Sequence, residues 1–431
     1  MTESVRARVL DIRVISSDIS LWPAVRTVNA GAQMRDHEPM RILFTTAPGV
    51  GHLLPLLPVA REARDRGHEV VIGGGASLTT IIESAGFRHE TMGPATIGEM
   101  FRGLPDVSSI PPRERVLISM PKVFCEGIAP AMADGVSALV DRWRPDVIVH
   151  EDMELGSWAV AEHAGIPHVT VQTTAWRPWI RDLASASLGS LSQRFGLADA
   201  DRPAQILGKA FFTTRPVSLR DPATPLPEVT AELRPIADDR LAADDTADDP
   251  FPPRDGSPRV AITLGTVNNA QVALMRTLVD GAAAAGAHVI VALGADPASF
   301  GAVPAGVAVH AYVPMSTLLP TADVVAYHGG SGTMLAALAA GTPMVIVPLA
   351  ADQPDNGDRT EAAGVARVLS ADGVDAAEVS KAITSVVTDP AYRHRAREIA
   401  AEVAAMPGPE VALDRIESIV GSWDPVAGTR Q

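Results

Sequence analysis

Short apolar runs alternate with amphipathic stretches along the chain. Arg41-Ile-Leu-Phe-Thr-Thr46 reads as a strand, Pro48-Gly49 as a turn, and residues 53–66 as a helix that Gly67 stops. Glu69-Val-Val-Ile72 is the next strand, so the unit is β-α-β and its sheet parallel. Asp146-Val-Ile-Val-His150 and His168-Val-Thr-Val-Gln172 extend it, with an Ala-rich helix between them. A second block of the same rhythm starts at Arg259-Val-Ala-Ile-Thr-Leu264. It continues through His288-Val-Ile-Val-Ala292, Val307-Ala-Val-His310, Val324-Val-Ala-Tyr327 and Met344-Val-Ile-Val347, and Gly341 closes the helix that follows Thr333. The expected fold class is α/β: two doubly wound, Rossmann-like domains facing across a cleft, with ligands beyond the carboxyl ends of the strands.

Between the blocks the character changes. Prolines cluster from Pro222 to Pro253, and acidic pairs stand at Asp238-Asp239, Asp244-Asp245 and Asp248-Asp249. The expected division is an extension over 1–39, poorly ordered; an N-terminal domain over 40–220; an acidic, Pro-rich linker over 221–257; a C-terminal domain over 258–408; and a C-terminal helix and tail over 409–431. Length agrees, since 431 residues exceed one ordinary core.

Charge removes some partners. The formal net charge of -15 argues against nucleic acid and against anionic membrane. An anionic ligand must therefore be held by local dipoles and a few donors. Cys125 is the single cysteine, so no intrachain disulfide can form and a cytoplasmic setting is expected. No apolar run reads as a membrane span, and no secretory signal pattern opens the chain.

Chemistry concentrates after two strands. Tyr327 ends one, and His328-Gly-Gly-Ser-Gly-Thr333 leads into an Ala/Leu-rich helix. Such a turn lets backbone N–H groups approach phosphates, and the helix N-terminus adds about half a positive charge. Ser331 and Thr333 can cap the helix or donate to phosphate, and His328 can donate from its ring. A tight structural turn would use the same residues. Past the next strand, Asp352-Gln353-Pro-Asp355-Asn356 suits the hydroxyls of a sugar, or simply starts a helix. In the first block, Gly49-Val50-Gly51-His52 fails as a dinucleotide fingerprint. Leu54 stands where the third glycine belongs, and the next strand runs into Gly73-Gly74-Gly75 with no acid for a ribose.

Together, Val313-Pro314, Leu318-Leu319-Pro320, Tyr327 to Thr333, Gly341-Thr-Pro343 and Asp352-Gln353 resemble the donor signature of family 1 nucleotide-sugar glycosyltransferases, which have the GT-B fold. The resemblance is greatest to the actinomycete antibiotic and macrolide enzymes and covers roughly residues 40–420. Tyr327 departs from it, because many macrolide enzymes have a second histidine there. The resemblance implies an inverting transfer of a deoxysugar from a dTDP- or UDP-sugar to a hydroxyl of a small apolar acceptor, a polyketide, macrolide or aromatic aglycone. It puts the backbone of Val313 on the pyrimidine base. Gly265, Thr266, His328, Gly330, Ser331, Gly332 and Thr333 fall at the donor and its diphosphate, and Asp352 and Gln353 at the sugar. His52, in Gly51-His52-x-x-Pro55, falls at the catalytic base, with Glu151 as its acid partner and Asp152 in reserve; Glu154 is the third acid nearby. Met120, Phe124, Trp176 and Trp179 are candidates for the acceptor pocket, as are Met100 and Phe101 beside them. No metal and no cofactor beyond the donor are expected; the lone D-x-D, Asp199-Ala-Asp201, is not placed at the cleft. The expected partners are the small-molecule acceptor and the nucleotide-sugar donor, without nucleic acid or membrane insertion, and a homodimer stays open. Two alternatives remain at this point: a nucleotide-sugar epimerase of the same fold, and a non-catalytic sugar-nucleotide-binding activator.

Overall fold

The computed structural model of the chain describes residues 38–102, 104, 110–111, 113–197, 205–237, 251–265 and 271–423. Seven parallel strands form the first sheet: β1 (Arg41–Thr45), β2 (Glu69–Gly74), β3 (Arg88–Thr91), β4 (Val147–Glu151), β5 (His168–Val171), β6 (Phe211–Thr213) and β7 (Thr230–Glu232), in the order 3-2-1-4-5-6-7. Six more form the second: β8 (Arg259–Thr263), β9 (His288–Ala292), β10 (Val307–His310), β11 (Val324–Tyr327), β12 (Met344–Ile346) and β13 (Ala366–Val368), in the order 10-9-8-11-12-13.

The central strands are apolar almost throughout because helices cover both faces. Side chains alternate between the two faces with period two. Leu43 of β1 enters one core cluster, while Ile42 and Phe44 enter the other. Val325 and Tyr327 of β11 share one face with Ala261 of β8, and Val324 and Ala326 share the opposite face with Val260 and Ile262. In each sheet the order reverses between the first and fourth strands, β1/β4 and β8/β11, and there the carboxyl ends open a crevice.

Several expectations are corrected. β3, β6, β7 and β13 have three or four residues each and no apolar run long enough to read; pairing with neighbouring strands, at or next to the sheet edges, makes them strands. β7 falls inside the stretch 221–257 expected as linker, so the first sheet extends past residue 220. Leu219, just before that stretch, and Phe251, within it, are buried in the second sheet's core. The acidic pairs, Asp199-Ala-Asp201 and the extension up to residue 37 lie outside the described residues. The helix expected from 53 begins earlier, as Val50–Leu53, tightens around Pro55 at Leu54–Leu56, and continues as Leu57–Asp65.

Helix Pro409–Gly421 returns to the first sheet. Its Ala412, Leu413, Ile416 and Ile419 join the cluster that holds Ile42 and Phe44, and Arg66 donates to Asp414 at 2.6 Å. The continuous helical run Val116–Trp143 is long and apolar enough by composition to cross a membrane, contrary to expectation. Its apolar face is instead core: Val123, Ile128, Met132, Val136 and Leu139 are fully buried. A π-helical stretch, Met120–Ile128, interrupts that run.

Candidate active site

At the β1/β4 crevice the chain leaves β1 and turns at once into Val50–Leu53, which puts His52 in a first helical turn. Glu151 is the last residue of β4, so the parallel register aims both at one point. His52 Nδ1 lies 3.1 Å from Glu151 Oε2, with the imidazole 18% exposed and the carboxylate fully buried. Glu151 also accepts from Ala47 N–H (3.0 Å), Met153 N–H (2.7 Å) and Thr173 Oγ1 (3.0 Å). Burial favours the neutral acid, but His52 and the Ala47 and Met153 amides outweigh it and hold Glu151 below its ordinary range. Burial likewise favours neutral imidazole, and Glu151, aided by Asp152 and Asp352, holds His52 above its ordinary value. The carboxylate fixes the Nδ1–H tautomer and leaves Nε2 to accept a proton.

The reserve acids are committed elsewhere. Asp152 accepts from Thr173 N–H (2.8 Å) and Oγ1 (2.6 Å) and from Thr174 Oγ1 (2.8 Å). Burial and the nearby Glu151 raise its pKa. Glu154 accepts from Thr45 Oγ1 (2.8 Å) and Gly156 N–H (2.8 Å), at the start of helix Ser157–Ala164.

The β8/β11 crevice is built on glycine. His328 follows β11 and is 7% exposed, and its Nδ1 has no hydrogen-bond partner among the described residues. A Cβ on Gly265 would come within 2.7 Å of its ring, and one on Gly330 within 2.6 Å. Gly265 and Gly329 also have φ of 67° and 91°, a left-handed backbone that glycine adopts without steric cost. Burial pushes His328 down to about 4, against a smaller opposing pull from Asp352. Helix Ser331–Ala340 starts here with Gly330 as its N-cap and no side-chain cap, so the expected capping by Ser331 or Thr333 is not made. Ser331 Oγ donates instead to Asp352 Oδ2 at 2.6 Å. Asn356 Nδ2 donates to that oxygen (3.1 Å) and to Gly329 O (2.8 Å), tying the two loops together. Gln353 Oε1 accepts from Leu349 N–H (2.8 Å) and Ala350 N–H (3.0 Å), so its carbonyl shapes the loop before it. That loop holds Ala351 at φ 57°, a costly conformation for a residue with a Cβ. Gly332 is exposed in the first helical turn, with Thr333 half-buried beside it. Val313 is buried by its side chain among Leu318 and Leu319, leaving its backbone as the part that can meet a ligand. Thr266 lies outside the described residues.

The two crevices face each other. Ala175 N–H donates to Asp352 Oδ2 (3.1 Å), and Arg177 pairs with Asp355 (2.8 Å). Arg215, just past β6, reaches Ser331 Oγ with Nη2 (2.7 Å). Arg115 donates to Leu349 O (3.1 Å). Of the acceptor candidates, Met120 and Trp176 line one small hollow, open to solvent, together with Asp152, Arg177, Ile180 and Arg181. Phe124 is not on this wall but lies with its ring 6.3 Å from that of His52. Trp179 is 40% exposed, with Arg177 over its ring at 5.7 Å, and Phe101 is 43% exposed. Met100 packs on the core below. Among the described residues no three His, Cys, Asp or Glu side chains form a metal-binding group.

Sequence reasoning missed Arg215, Arg177, Arg181 and Thr173. All four lie in segments just past β5 and β6, the place where side chains face a ligand in such sheets. β6 itself was unreadable, so for Arg215 that signal was lost.

The chain is similar to known proteins over most of its length. Residues 276–419 match the family described as erythromycin biosynthesis protein CIII-like, C-terminal domain, and residues 108–216 its N-terminal domain. The chain is 31% identical to the L-demethylnoviosyl transferase of Streptomyces niveus over 90% of its own length and 100% of that protein. It is 27% identical to the 4'-demethylrebeccamycin synthase of Lentzea aerocolonigenes, over 88% and 99%. Among solved structures it is similar to the glycosyltransferase SsfS6 of Streptomyces sp. SF2575 in complex with thymidine diphosphate, with TM-score 0.72, 26% identity, and coverage of 88% and 99%. The architecture is GT-B, and the chain belongs to the glycosyltransferases of antibiotic biosynthesis that carry erythromycin biosynthesis protein CIII-like domains.

Proposed function

We propose that this glycosyltransferase moves a deoxysugar, with inversion, from a thymidine or uridine diphosphate sugar to a hydroxyl of a small apolar acceptor of the polyketide, macrolide or aromatic class. The observation that carries the reading is the His52–Glu151 pair at 3.1 Å, set opposite the His328 turn. His52 is assigned as general base and Glu151 as the residue that positions it. Asp152 supports from a distance and holds the turn at Thr173 and Thr174.

In the reaction, His52 Nε2 takes the proton of the acceptor hydroxyl as its oxygen attacks the anomeric carbon. The bond from that carbon to the diphosphate oxygen breaks, and the electron pair leaves with the diphosphate. The growing charge there meets the amides of residues 329–333, the helix dipole and neutral His328. The new imidazolium is stabilised by Glu151, which already favours the charged form. Val313, Gly265 and Thr266 are assigned to the nucleotide side of the donor; Gly330, Ser331, Gly332 and Thr333 to its diphosphate; Asp352 and Gln353 to the sugar. Those donors are sufficient without a divalent metal, and no cofactor beyond the donor is required. Met120 and Trp176, with Phe124 toward His52, are assigned to the acceptor, and Trp179 to the rim.

Thymidine diphosphate in the Streptomyces structure supports the thymidine choice. The single cysteine, Cys125, supports a reducing, cytoplasmic setting because no intrachain disulfide can form; its thiol is 3% exposed, and burial pushes it up to about 12. The test is acceptor-dependent release of thymidine diphosphate, with the product identified by mass and its anomeric configuration by NMR. Release without acceptor, together with an epimerised sugar, would replace transfer by epimerisation. Retained configuration would overturn the single-displacement step.

A further inference from the structure

Arg215 follows β6 in the first half of the chain and is 6% exposed. Its carbonyl is fixed by the fork of Arg220, whose Nε and Nη2 donate to it at 3.1 and 3.0 Å. Arg220 in turn pairs with Glu232 of β7 at 2.5 Å. From this anchored backbone the side chain crosses the cleft. Nη2 donates to Ser331 Oγ (2.7 Å), Nη1 meets the sulfur of Met334 (3.6 Å), and the guanidinium lies 3.6 Å from Asp352 Oδ2. Nε is buried with no hydrogen-bond partner among the described residues.

Ser331 and Met334 belong to the first turn of helix Ser331–Ala340, whose amide end is already partly positive. A guanidinium there is disfavoured unless an anion stands between, and Asp352 Oδ2 is that anion. It is a crowded one, because it also accepts from Ser331 Oγ, Asn356 Nδ2 and Ala175 N–H. Sulfur is a weak acceptor, so of the five N–H donors of Arg215 one has a strong neutral partner. A planar fork with unmet donors, aimed at a helix N-terminus, suits a phosphate with several oxygens better than one shared carboxylate.

We propose that Arg215 is a ligand of the donor diphosphate, supplied from the first half of the chain, and that the diphosphate replaces Asp352 as its counter-anion. This rests on the reading that the diphosphate docks on residues 329–333. Asp352, relieved of Arg215, then turns to the sugar hydroxyls. The rival explanation is a strap that only ties the halves together.

Titration calorimetry on the full chain separates the two, using thymidine diphosphate and thymidine as probes on wild type, Arg215→Met, Arg215→Lys and His328→Ala. Arg215→Met is expected to weaken the diphosphate by about tenfold to a hundredfold, the range of a hydrogen-bonded charge. Thymidine should bind within about twofold of wild type, as a contact confined to phosphate requires. Arg215→Lys keeps the charge without the fork and should fall between. If His328→Ala weakens the diphosphate but both Arg215 variants bind it as wild type does, the Arg215 inference fails and the docking reading stands. Proportional loss of thymidine and diphosphate in both Arg215 variants makes the residue a strap and also overturns it. Should wild type prefer diphosphate no more than thymidine, or His328→Ala bind diphosphate unchanged, the docking reading falls and the inference with it. Arg215→Lys carries the decision if the methionine variant does not fold.

Discussion

The two halves share one strand order and place a histidine at the same switch point, yet they make opposite use of it. In the first half, His52 from the β1 loop faces Glu151 at the end of β4. In the second, His328 at the end of β11 faces Gly265 past β8. A carboxylate in one crevice holds the imidazole above its ordinary pKa; a bare backbone in the other leaves burial unopposed but for Asp352, and the pKa drops to about 4. One imidazole is therefore biased toward its charged form, while the other stays neutral and can only hydrogen-bond. Topology supplies the location, and the residue facing the histidine decides its chemistry.

Replacing His52 by Ala tests the titrating side most severely. We expect kcat to fall about 10²–10⁴-fold, the range of a lost general base, while thymidine diphosphate binding stays as in wild type. Turnover within about threefold of wild type lies below that range and would remove His52 from the mechanism.

Glu151→Gln attacks the partner. The rate should drop on the order of 10²-fold or less, since an orienting acid costs less than the base it orients. The pH profile gives the sharper reading. kcat/KM should rise with pH in wild type through a pKa above the ordinary histidine value of about 6.5, because the base works when neutral. Without Glu151, burial becomes the dominant influence on His52, so the limb must move to lower pH. Asp152→Asn should move it the same way by less. A larger shift from Asp152→Asn than from Glu151→Gln would mean the partner is misassigned by one residue.

His328→Ala probes the other histidine. Calorimetry should show thymidine diphosphate binding weakened by about tenfold, equally with and without chelator, for a lost hydrogen bond to a charged group. The pH limb of kcat/KM should stay in place. Abolition of binding by chelator alone would show that metal, rather than amides and imidazole, meets the phosphate charge.

The mildest change is Gly265→Ala. The new Cβ would lie 2.7 Å from the His328 ring, at φ 67°. Left-handed strain of about 1–2 kcal/mol should lower Tm by about 3–6 °C. Donor affinity should weaken with it, again without moving the pH limb. A Tm and an affinity equal to wild type would mean that the His328 turn relaxes freely and is not held by the glycine.

The sequence by itself determined the two α/β blocks, the parallel sheets and the loops that carry His52 and His328. These are local signals, since central strands buried on both faces must be apolar and a turn into a helix must spell glycine. It did not show β6, β7 or β13, because three-residue strands take their structure from the strands they pair with. Among Glu151, Asp152 and Glu154, the residues by themselves left the partner of His52 open; the resemblance pointed to Glu151, and the tertiary structure places its carboxylate at 3.1 Å from the ring. Three acids within four residues differ only in where the end of β4 points them, and the Thr173 turn and the Glu154 helix start claim two. It alone decided that Ser331 gives its hydroxyl to Asp352 rather than to its own helix. It alone brought Arg215 and Ala175 across the cleft to that carboxylate. The Arg215 and Ala175 contacts join residues more than a hundred positions apart, and no periodicity or spacing encodes them; they exist only when the two sheets close on one crevice.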